Sequence, residues 1–392
     1  MEMDYLLKTL AKLVSFDTDS TAKSNYLQCA KFIASEAGKI GLKARIIGLK
    51  GKDGNPRPNV LIESKTYFGE TVLLMAHYDC VPCGHGWKTD PLRLTRKGDM
   101  FYGRGVCDDK GAVACSLAAL KEACARNTFT KNVKLFVACD EEVGGEYGAK
   151  LVAKKYPKLL AADYCIAIDG DLDRLYIGCS GIVHGTITLR GKGGHAGYDF
   201  ETDTLLHRAI PFLAEFSAYK DVREKRRSKI NAPKNPVSDK LFGRFNITML
   251  NAGEQHNIIP RELEIGFDMR LVPEENAPVQ AKALRKFLSS KMRKFRLKGS
   301  LAMSFSPGYF ERQNGLTKKI HSIASRVTSR ELSIAGQFGG TDARYIHSIG
   351  IPSYCFGPGG NGMHTCRERI SVKDLETTKW FVGELVSSKI LQ

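Results

Sequence analysis

The sequence lacks several features that would assign its class at once. No apolar run in its 392 residues approaches the roughly 20 that a membrane-spanning helix needs, which excludes a transmembrane protein. The N-terminus has no basic segment, long apolar core or small-residue cleavage site, so a secretory signal is not expected. There is no G-x-S-x-G nucleophile elbow and no phosphate loop of the G-x-x-x-x-G-K-S/T type. We therefore expect a cytoplasmic protein that uses neither serine-nucleophile nor P-loop chemistry.

Acidic residues are in the minority, at 42 against 59 basic residues, which gives a net charge of +17. A strongly cationic surface attracts phosphate whatever the fold, so a nonenzymatic nucleic-acid-binding protein stays open as a distant alternative. No zinc finger, recognition-helix signature or aromatic ribonucleoprotein motif accompanies the charge. A solvated basic face is the interpretation we favour, and nucleic acid is not the expected partner.

Cysteine is absent from residues 181–354, although eleven cysteines occur in the rest of the chain. Most of them lie in apolar strand or helix patterns, where a free thiol behaves as a small hydrophobe. Cys80 and Cys83 form a C-x-x-C, but no second pair stands at zinc-finger spacing. The pattern favours reduced thiols in a reducing compartment.

Apolar runs of strand length alternate with helical patterns in the first part of the chain. This alternation predicts an α/β domain with a mostly parallel sheet flanked by helices. After residue 180 the order becomes β-α-β-β-α with a further strand near 301–306, which is the ferredoxin-like pattern. We therefore predict a discontinuous catalytic domain of residues 1–180 and 297–392. Residues 181–296 would form an inserted α+β lid or dimerisation domain.

Acidic residues and histidines recur where predicted strands end or helices begin. In an open parallel sheet, ligands gather beyond the carboxyl ends of the strands. The candidates in chain order are His77 with Asp79, Asp108 with Asp109, Asp140-Glu141-Glu142, Asp169 with Asp171, and His364. Each has a plainer interpretation by itself, namely a structural histidine, a helix cap or an acidic surface turn. Three consecutive acids nevertheless repel one another unless a cation holds them, and a divalent metal would do so.

Two histidines and three or four carboxylates predicted at one sheet edge indicate a metal site. Mixed imidazole and carboxylate ligands suit Zn²⁺, with Co²⁺ or Mn²⁺ as possible substitutes. One carboxylate can bridge two ions in a paired-metal site. The sequence therefore predicts a site for two divalent metal ions.

Seven short motifs follow one another along nearly the whole chain. They are H-Y-D-x-V-P (77–82), G-R-G-V-x-D-D-K-G (103–111), D-E-E-x-G-G (140–145), G-K-G-G-H-A-G (191–197), N-I-I-P (257–260), G-G-T-D (339–342) and M-H-T (363–365). In this order they resemble the two-metal amidohydrolase family of succinyl-diaminopimelate desuccinylase, acetylornithine deacetylase, glutamate carboxypeptidase, aminoacylase and carnosinase. The motifs are specific for the family and much less so for any one member.

The resemblance implies a role for each motif residue. The implied metal ligands are His77 and Asp169 for one ion, Glu142 and His364 for the other, and Asp108 as the bridge between them. Glu141 would be the general base, and Asp79 would orient the first histidine. The family often has a glutamate in a G-E-P sequence where this chain reads I-D-G-D, and we prefer Asp169 to Asp171 there. A cis peptide is also implied after Asp108.

The same resemblance assigns roles to the inserted domain. It would mediate homodimerisation, and His195 would stabilise the oxyanion in the partner's active site, or in its own after closure. Asn257 and Arg270 would contact the substrate, and Gly340 with Thr341 would line the acyl pocket. A polar turn residue at His195 and a structural salt bridge at Arg270 stay open as plainer interpretations.

The predicted function is a metal-dependent hydrolase that cleaves the amide bond of a small N-acyl amino acid, of the deacetylase or desuccinylase type. Glu141 would take a proton from the attacking water and pass it to the leaving amine. A dipeptidase or carboxypeptidase acting on short peptides needs the same chemistry and stays as the alternative. The basic insert favours an anionic substrate but does not decide between the two.

Overall fold

The computed structural model describes residues 2–64 and 68–391. The helices are α1 (Glu2–Val14), α2 (Tyr26–Lys39), α3 (Lys110–Arg126), α4 (Ala149–Lys155), α5 (Pro157–Leu160), α6 (Leu205–Ser217), α7 (Tyr219–Glu224), α8 (Ala277–Lys294), α9 (Gly315–Thr328), α10 (Ala343–His347) and α11 (Val372–Ser387). The strands are β1 (Lys43–Lys50), β2 (Pro56–Glu63), β3 (Thr71–His77), β4 (Thr95–Lys97), β5 (Met100–Tyr102), β6 (Asn132–Ala138), β7 (Tyr164–Ala167), β8 (Arg174–Cys179), β9 (Gly181–Arg190), β10 (Gly194–His195), β11 (Arg227–Asn231), β12 (Lys240–Phe242), β13 (Arg244–Asn251), β14 (Ile258–Ile259), β15 (Glu262–Leu271), β16 (Lys298–Ser306), β17 (Tyr309–Phe310), β18 (Ser333–Gln337), β19 (Ser353–Cys355) and β20 (Arg369–Ser371). None of the described helices is both long enough and apolar enough to cross a bilayer.

The chain forms two compact units. The larger consists of Met1–Ile177, Glu311–Ala335 and Thr341–Gln392, and the smaller of Gly178–Phe310 and Gly336–Gly340. The sequence-based boundary at 296/297 is too early, because β16 pairs with β9 along its whole length. That strand therefore belongs to the smaller unit, together with the short segment that ends at Gly340.

The larger unit is built on a sheet with the order β1-β2-β6-β3-β7-β19-β8. The central pairs β6–β3, β3–β7 and β7–β19 are parallel, and antiparallel strands complete both edges. Strand β3 is almost wholly buried, as an apolar run covered by helices should be. Helices α2 and α3 contact β2 and β3, respectively. The mostly parallel sheet flanked by helices is thereby confirmed.

The smaller unit contains an antiparallel sheet with the order β13-β15-β9-β16. Together with the α6/α7 segment after β9 and α8 after β15, this is the β-α-β-β-α-β ferredoxin-like topology, as predicted. Inward side chains of the sheet pack with the apolar faces of α6 and α8 in one core, which includes Val183, Phe267, Phe212 and Leu284.

Candidate metal centre

Five candidate ligands lie beyond the carboxyl ends of four neighbouring parallel strands. His77 is the last residue of β3, and Asp169 follows β7 by two residues. Glu142 lies in a single 3-10 turn (Glu141–Val143) after β6, and His364 follows β19 in a glycine-rich loop. Asp108 precedes α3. Because β6, β3, β7 and β19 run parallel, their ends meet at one edge of the sheet.

The five side chains form two groups that share Asp108. His77 Nε2 lies 3.1 Å from Asp108 Oδ1, and His364 Nε2 lies 3.0 Å from Asp108 Oδ2. His364 Nε2 is also 3.1 Å from Glu142 Oε2. The groups His77–Asp108–Asp169 and Asp108–Glu142–His364 each offer three ligand atoms within 4.8 Å of one another. One oxygen of Asp108 thus faces each group, as a bridging carboxylate requires.

The protonation pattern shows how strongly these groups interact. Hydrogen bonds to Asp108 and Glu142 raise the pKa of His364 to about 10. Burial by itself would raise the pKa of Asp108, but its hydrogen bonds with His364 and His77 lower it well below its usual range. Burial, and then the charge of Asp108, raises the pKa of Asp169. In the metal-free protein, bound protons therefore offset the negative charge of this cluster, as metal cations would do when bound.

Asp79 contacts both the acidic turn and the first histidine. Its carboxylate oxygens accept the backbone N–H groups of Glu141 at 3.1 Å and Glu142 at 3.2 Å. The closer contact to His77 Nδ1 comes from the backbone carbonyl of Asp79, at 3.0 Å against 3.5 Å for the carboxylate. The side chain of Asp79 therefore holds the acidic turn and also lies near the histidine ring, and the Asp79 carbonyl is the closer of the two groups to that ring.

Asp140, the first of the three consecutive acids, is held by protein cations. Arg57 Nε donates to it at 3.0 Å and Lys23 Nζ at 3.1 Å, and all three side chains are largely buried. The expectation that a metal holds this run of acids is thus wrong for Asp140. Only Glu142 of the three belongs to a candidate ligand group.

Asp171 takes part in a different set of contacts from Asp169. Its carboxylate accepts hydrogen bonds from Arg174 at 2.8 Å and Tyr176 at 2.6 Å. Asp169 is the residue grouped with His77 and Asp108. The I-D-G-D segment thus presents its first acid to the candidate centre and its second to an arginine and a tyrosine.

Two buried acids beside the ligands, Asp109 and Asp342, received no role of their own from the sequence. Asp109 Oδ2 accepts the backbone N–H of His77 at 3.1 Å, while its Oδ1 has no hydrogen-bond partner among the described residues. Burial raises the pKa of Asp342 to about 7, and Asp342 Oδ2 likewise lacks a partner in residues 2–64 and 68–391. The implied cis peptide between Asp108 and Asp109 is present. The G-G-T-D motif (339–342) is the sequence signal that could have indicated Asp342.

The donor set fits a pair of divalent cations. Imidazole nitrogens and carboxylate oxygens are the ligands that Zn²⁺ and similar ions accept. The carboxylates of this cluster outnumber its histidines, and beside it Asp109 Oδ1 and Asp342 Oδ2 have no hydrogen-bond donor among the described residues. A cation would neutralise that excess negative charge, which burial makes costly.

The remaining candidates are divided between the two units. In the smaller unit, His195 ends β10, is exposed, and accepts the Gly197 N–H on Nδ1 at 3.0 Å, which leaves Nε2 available. Asn257 is exposed, and Arg270 Nε donates to Asp268 at 2.7 Å.

The predicted acyl-pocket residues straddle a unit boundary. Gly340 ends the smaller unit, and Thr341 begins a segment of the larger one. Thr341 is buried, and its carbonyl accepts a hydrogen bond from Arg344 Nε at 2.7 Å. The structure thus assigns these adjacent residues to different compact units.

An α/β sheet that carries two histidine–carboxylate groups at its carboxyl edge defines the class of this protein as a metal-dependent hydrolase. The chain belongs to peptidase family M20/M25/M40, whose sequence profile matches residues 73–387.

Individual relatives agree with this assignment. The chain is 25% identical over 327 residues to a succinyl-diaminopimelate desuccinylase of Sulfurimonas denitrificans, covering 81% of this chain and 84% of the relative. The M20 metallo-carboxypeptidase Sso-CP2 of Sulfolobus solfataricus has a similar structure, with a TM-score of 0.82, 19% identity and coverage of 97% and 98% of the two chains. Human carnosine dipeptidase 1 is also similar, with a TM-score of 0.78, 18% identity and coverage of 98% and 96%. At these identities the two solved structures establish the fold.

Proposed function

We propose that this protein hydrolyses the amide bond of a small N-acyl amino acid at a centre of two divalent metal ions. The observation that carries the proposal is the shared carboxylate of Asp108, which faces His77 with one oxygen and His364 with the other. A nonenzymatic protein has no need of such a donor set. The distant nucleic-acid-binding alternative therefore has no support from the site.

The proposed ligands are those of the two geometric groups. His77, Asp108 and Asp169 would hold one ion, and Asp108, Glu142 and His364 the other. Zn²⁺ is our first choice, because it accepts mixed nitrogen and oxygen ligands, and Co²⁺ or Mn²⁺ could replace it. When bound, the metal pair would lower the pKa of a water molecule, and its own positive charge would polarise the scissile carbonyl.

Glu141 is the proposed general base. Burial, and then the charge of Asp342, raises the pKa of Glu141 above the usual range of a glutamate. A raised pKa suits a carboxylate that must accept a proton near neutral pH and give it up again. Glu141 would accept the proton of the attacking water and deliver it to the leaving amine. Asp79 would hold the Glu141 backbone in place through the 3.1 Å hydrogen bond.

The substrate class is proposed from the relatives and the charge. A desuccinylase relative supports an N-succinyl or N-acetyl amino acid, and the net charge of +17 suits an anionic substrate. A short peptide is the second candidate, favoured by the structural likeness to a carboxypeptidase and a dipeptidase. Asn257, Arg270, Gly340 and Thr341 are the proposed substrate contacts.

The smaller unit is proposed as a lid and dimerisation domain. His195 would stabilise the oxyanion with Nε2, since Nδ1 already accepts a backbone N–H. We propose a homodimer in the cytoplasm. None of the eleven cysteines, all of which lie in the described residues, forms a disulfide, which suits that reducing compartment.

The decisive experiment combines metal analysis with a substrate panel. N-succinyl amino acids, N-acetyl amino acids and dipeptides would be assayed with Zn²⁺, Co²⁺ and Mn²⁺. Glu141→Gln should keep two equivalents of metal and lose most turnover, whereas His364→Ala should lose metal as well. Near-normal kcat in Glu141→Gln would refute the base assignment, and faster cleavage of dipeptides than of acyl amino acids would favour the second candidate.

A further inference from the structure

A buried ion pair lies beside the candidate centre without belonging to either ligand group. Arg104 Nη1 donates to Glu368 Oε2 at 2.6 Å, and the two side chains are 3% and 0% exposed. A buried pair is weak evidence for stability, because desolvation offsets most of the attraction between the charges. Its position along the chain suggests a different use.

Glu368 connects two ligand-bearing loops. Its Oε1 accepts the backbone N–H of Cys107 at 3.1 Å, and Cys107 is the residue immediately before Asp108. Glu368 itself follows His364 by four residues, in the same loop. One carboxylate thus ties the backbone that carries Asp108 to the backbone that carries His364.

Arg104 extends the connection to a third loop. Its Nη2 donates to the carbonyls of Pro82 at 3.2 Å and Cys83 at 3.3 Å, in the segment that begins with the β3 histidine. The guanidinium also lies 5.1 Å from the ring centre of Trp87. The planar guanidinium of an arginine presents N–H groups of separate nitrogens to the carboxylate and to the two carbonyls in a fixed geometry, whereas a lysine offers its three N–H groups from one nitrogen.

The loop of His364 has an uncommon backbone conformation and few contacts at its tip. His364 has φ +61°, a left-handed conformation that is uncommon for a residue other than glycine, and its side chain is 52% exposed. An isolated bridge between Asn361 and Arg369 closes the base of this loop, and Glu368 reaches across to Cys107. His77, in contrast, is buried at the end of a central strand, and its own N–H is bound by Asp109.

We propose that the Arg104–Glu368 pair is a positioning device that sets the separation of Asp108 and His364, so that the Asp108–Glu142–His364 group closes on a metal ion. The inference rests on the proposed function, because it concerns the second of the two metals proposed there. Neither residue belongs to a candidate ligand group. The pair acts through the two loops that it joins, as residues outside a metal's ligand set commonly do.

The test is stepwise metal binding by the metal-free protein. Wild type, Glu368→Gln and Arg104→Lys would be stripped with a chelator and titrated with Zn²⁺ by calorimetry. In Glu368→Gln we expect the second equivalent to bind about 10- to 100-fold more weakly, the usual effect of losing such a support. The first equivalent should be weakened less, because Asp108 belongs to both groups but His77 keeps the hydrogen bond from its backbone N–H to Asp109. Arg104→Lys keeps the positive charge but loses the planar guanidinium, and it should weaken the binding of the second equivalent as well.

The smaller unit offers a matched control. Glu275 accepts hydrogen bonds from Arg223 at 2.9 and 2.5 Å and from the backbone N–H of Val272 at 2.9 Å, in a similarly buried pair. Glu275→Gln should therefore lower the melting temperature without changing either zinc affinity. Chelator-treated melting curves would identify a variant that does not fold, in which case Arg104→Lys decides.

Each outcome has a distinct meaning. The proposal would be overturned if both variants bound the second equivalent of Zn²⁺ as tightly as wild type. It would also be overturned if Glu275→Gln weakened the binding of that equivalent by the same factor. A wild-type protein that binds fewer than two equivalents would instead contradict the proposed dinuclear function, and this inference with it.

Discussion

Asp108 and His364 approach each other to 3.0 Å between Oδ2 and Nε2, although one precedes α3 and the other follows β19. In this arrangement the pKa of His364 rises to about 10, so that the ring is a cation at neutral pH. The imidazolium proton thus lies between two carboxylates, where the proposed function places a metal ion. Metal binding and proton release are therefore linked at this position.

The first prediction concerns that linkage. His364 must lose its proton to bind a metal, so zinc binding at pH 7.5 should release protons, and the zinc affinity should rise with pH through the neutral range. Calorimetric titrations in two buffers of different ionisation enthalpy measure the number of protons released. Identical binding enthalpies in the two buffers would mean that no net proton leaves, which contradicts the assignment of His364 as a ligand.

The second prediction concerns the stability of the metal-free protein. The pKa of His364 lies above its usual value of 6.5 in the folded state, so its stabilising effect is complete below pH 6.5 and is lost as the pH approaches 10. His364→Gln should therefore lower the melting temperature in chelator at pH 6 to 8, and the difference from wild type should vanish above about pH 10. His256→Gln, in an exposed loop, is the control and should change little. A pH-independent difference would contradict the ionic origin of the effect.

The expectation that ligands gather beyond the carboxyl ends of parallel strands located the main site residues, because strand ends can be recognised from the local sequence pattern alone. His77, Glu142 and Asp169 each follow an apolar run that the sequence marks clearly, and the parallel sheet brings those ends together. Arg57 gave no such signal, since its partner Asp140 comes from another strand and only the folded sheet brings the two together. The short strands β4, β5 and β20 were also missed, because three-residue strands show no measurable alternation.

The third prediction concerns Asp79 and the acidic turn. Asp79→Ala removes both acceptors of the Glu141 and Glu142 backbone N–H groups, so the base and a proposed ligand lose their support together. We expect metal affinity to fall about 10- to 100-fold, with a lower kcat in the metal-saturated enzyme. Asp79→Asn keeps one carbonyl acceptor and should be intermediate. Metal titration and steady-state kinetics on the same preparations separate the two effects, and an unchanged metal affinity in Asp79→Ala would contradict this role.

The fourth prediction concerns the buried pair of Arg57 and Asp140. Arg57→Met removes one of the two cations that pair with Asp140 and leaves the ion pair with Lys23. Because removing one member of a buried pair leaves a charge poorly compensated, we expect the free energy of unfolding to fall by about 3 kcal/mol. Urea unfolding of the chelator-treated protein measures the loss. Arg190→Met breaks the exposed pair with Glu262 and should cost less than about 1 kcal/mol. Equal costs for the two variants would mean that the pair with Asp140 is not the origin of the effect.

The last prediction tests whether His195 serves its own subunit or the partner. His195 is exposed, and its ring accepts a hydrogen bond from the neighbouring backbone N–H of Gly197, so His195→Ala should fold normally and keep both metals. Its kcat should fall about 10²- to 10³-fold if the ring stabilises the oxyanion. In a homodimer where His195 acts on the partner, a refolded mixture of His195→Ala and Glu141→Gln should regain activity, because a mixed dimer contains one site with both groups intact. If His195 serves its own subunit, each mixed dimer still lacks a group at both sites, and the mixture stays as inactive as its components.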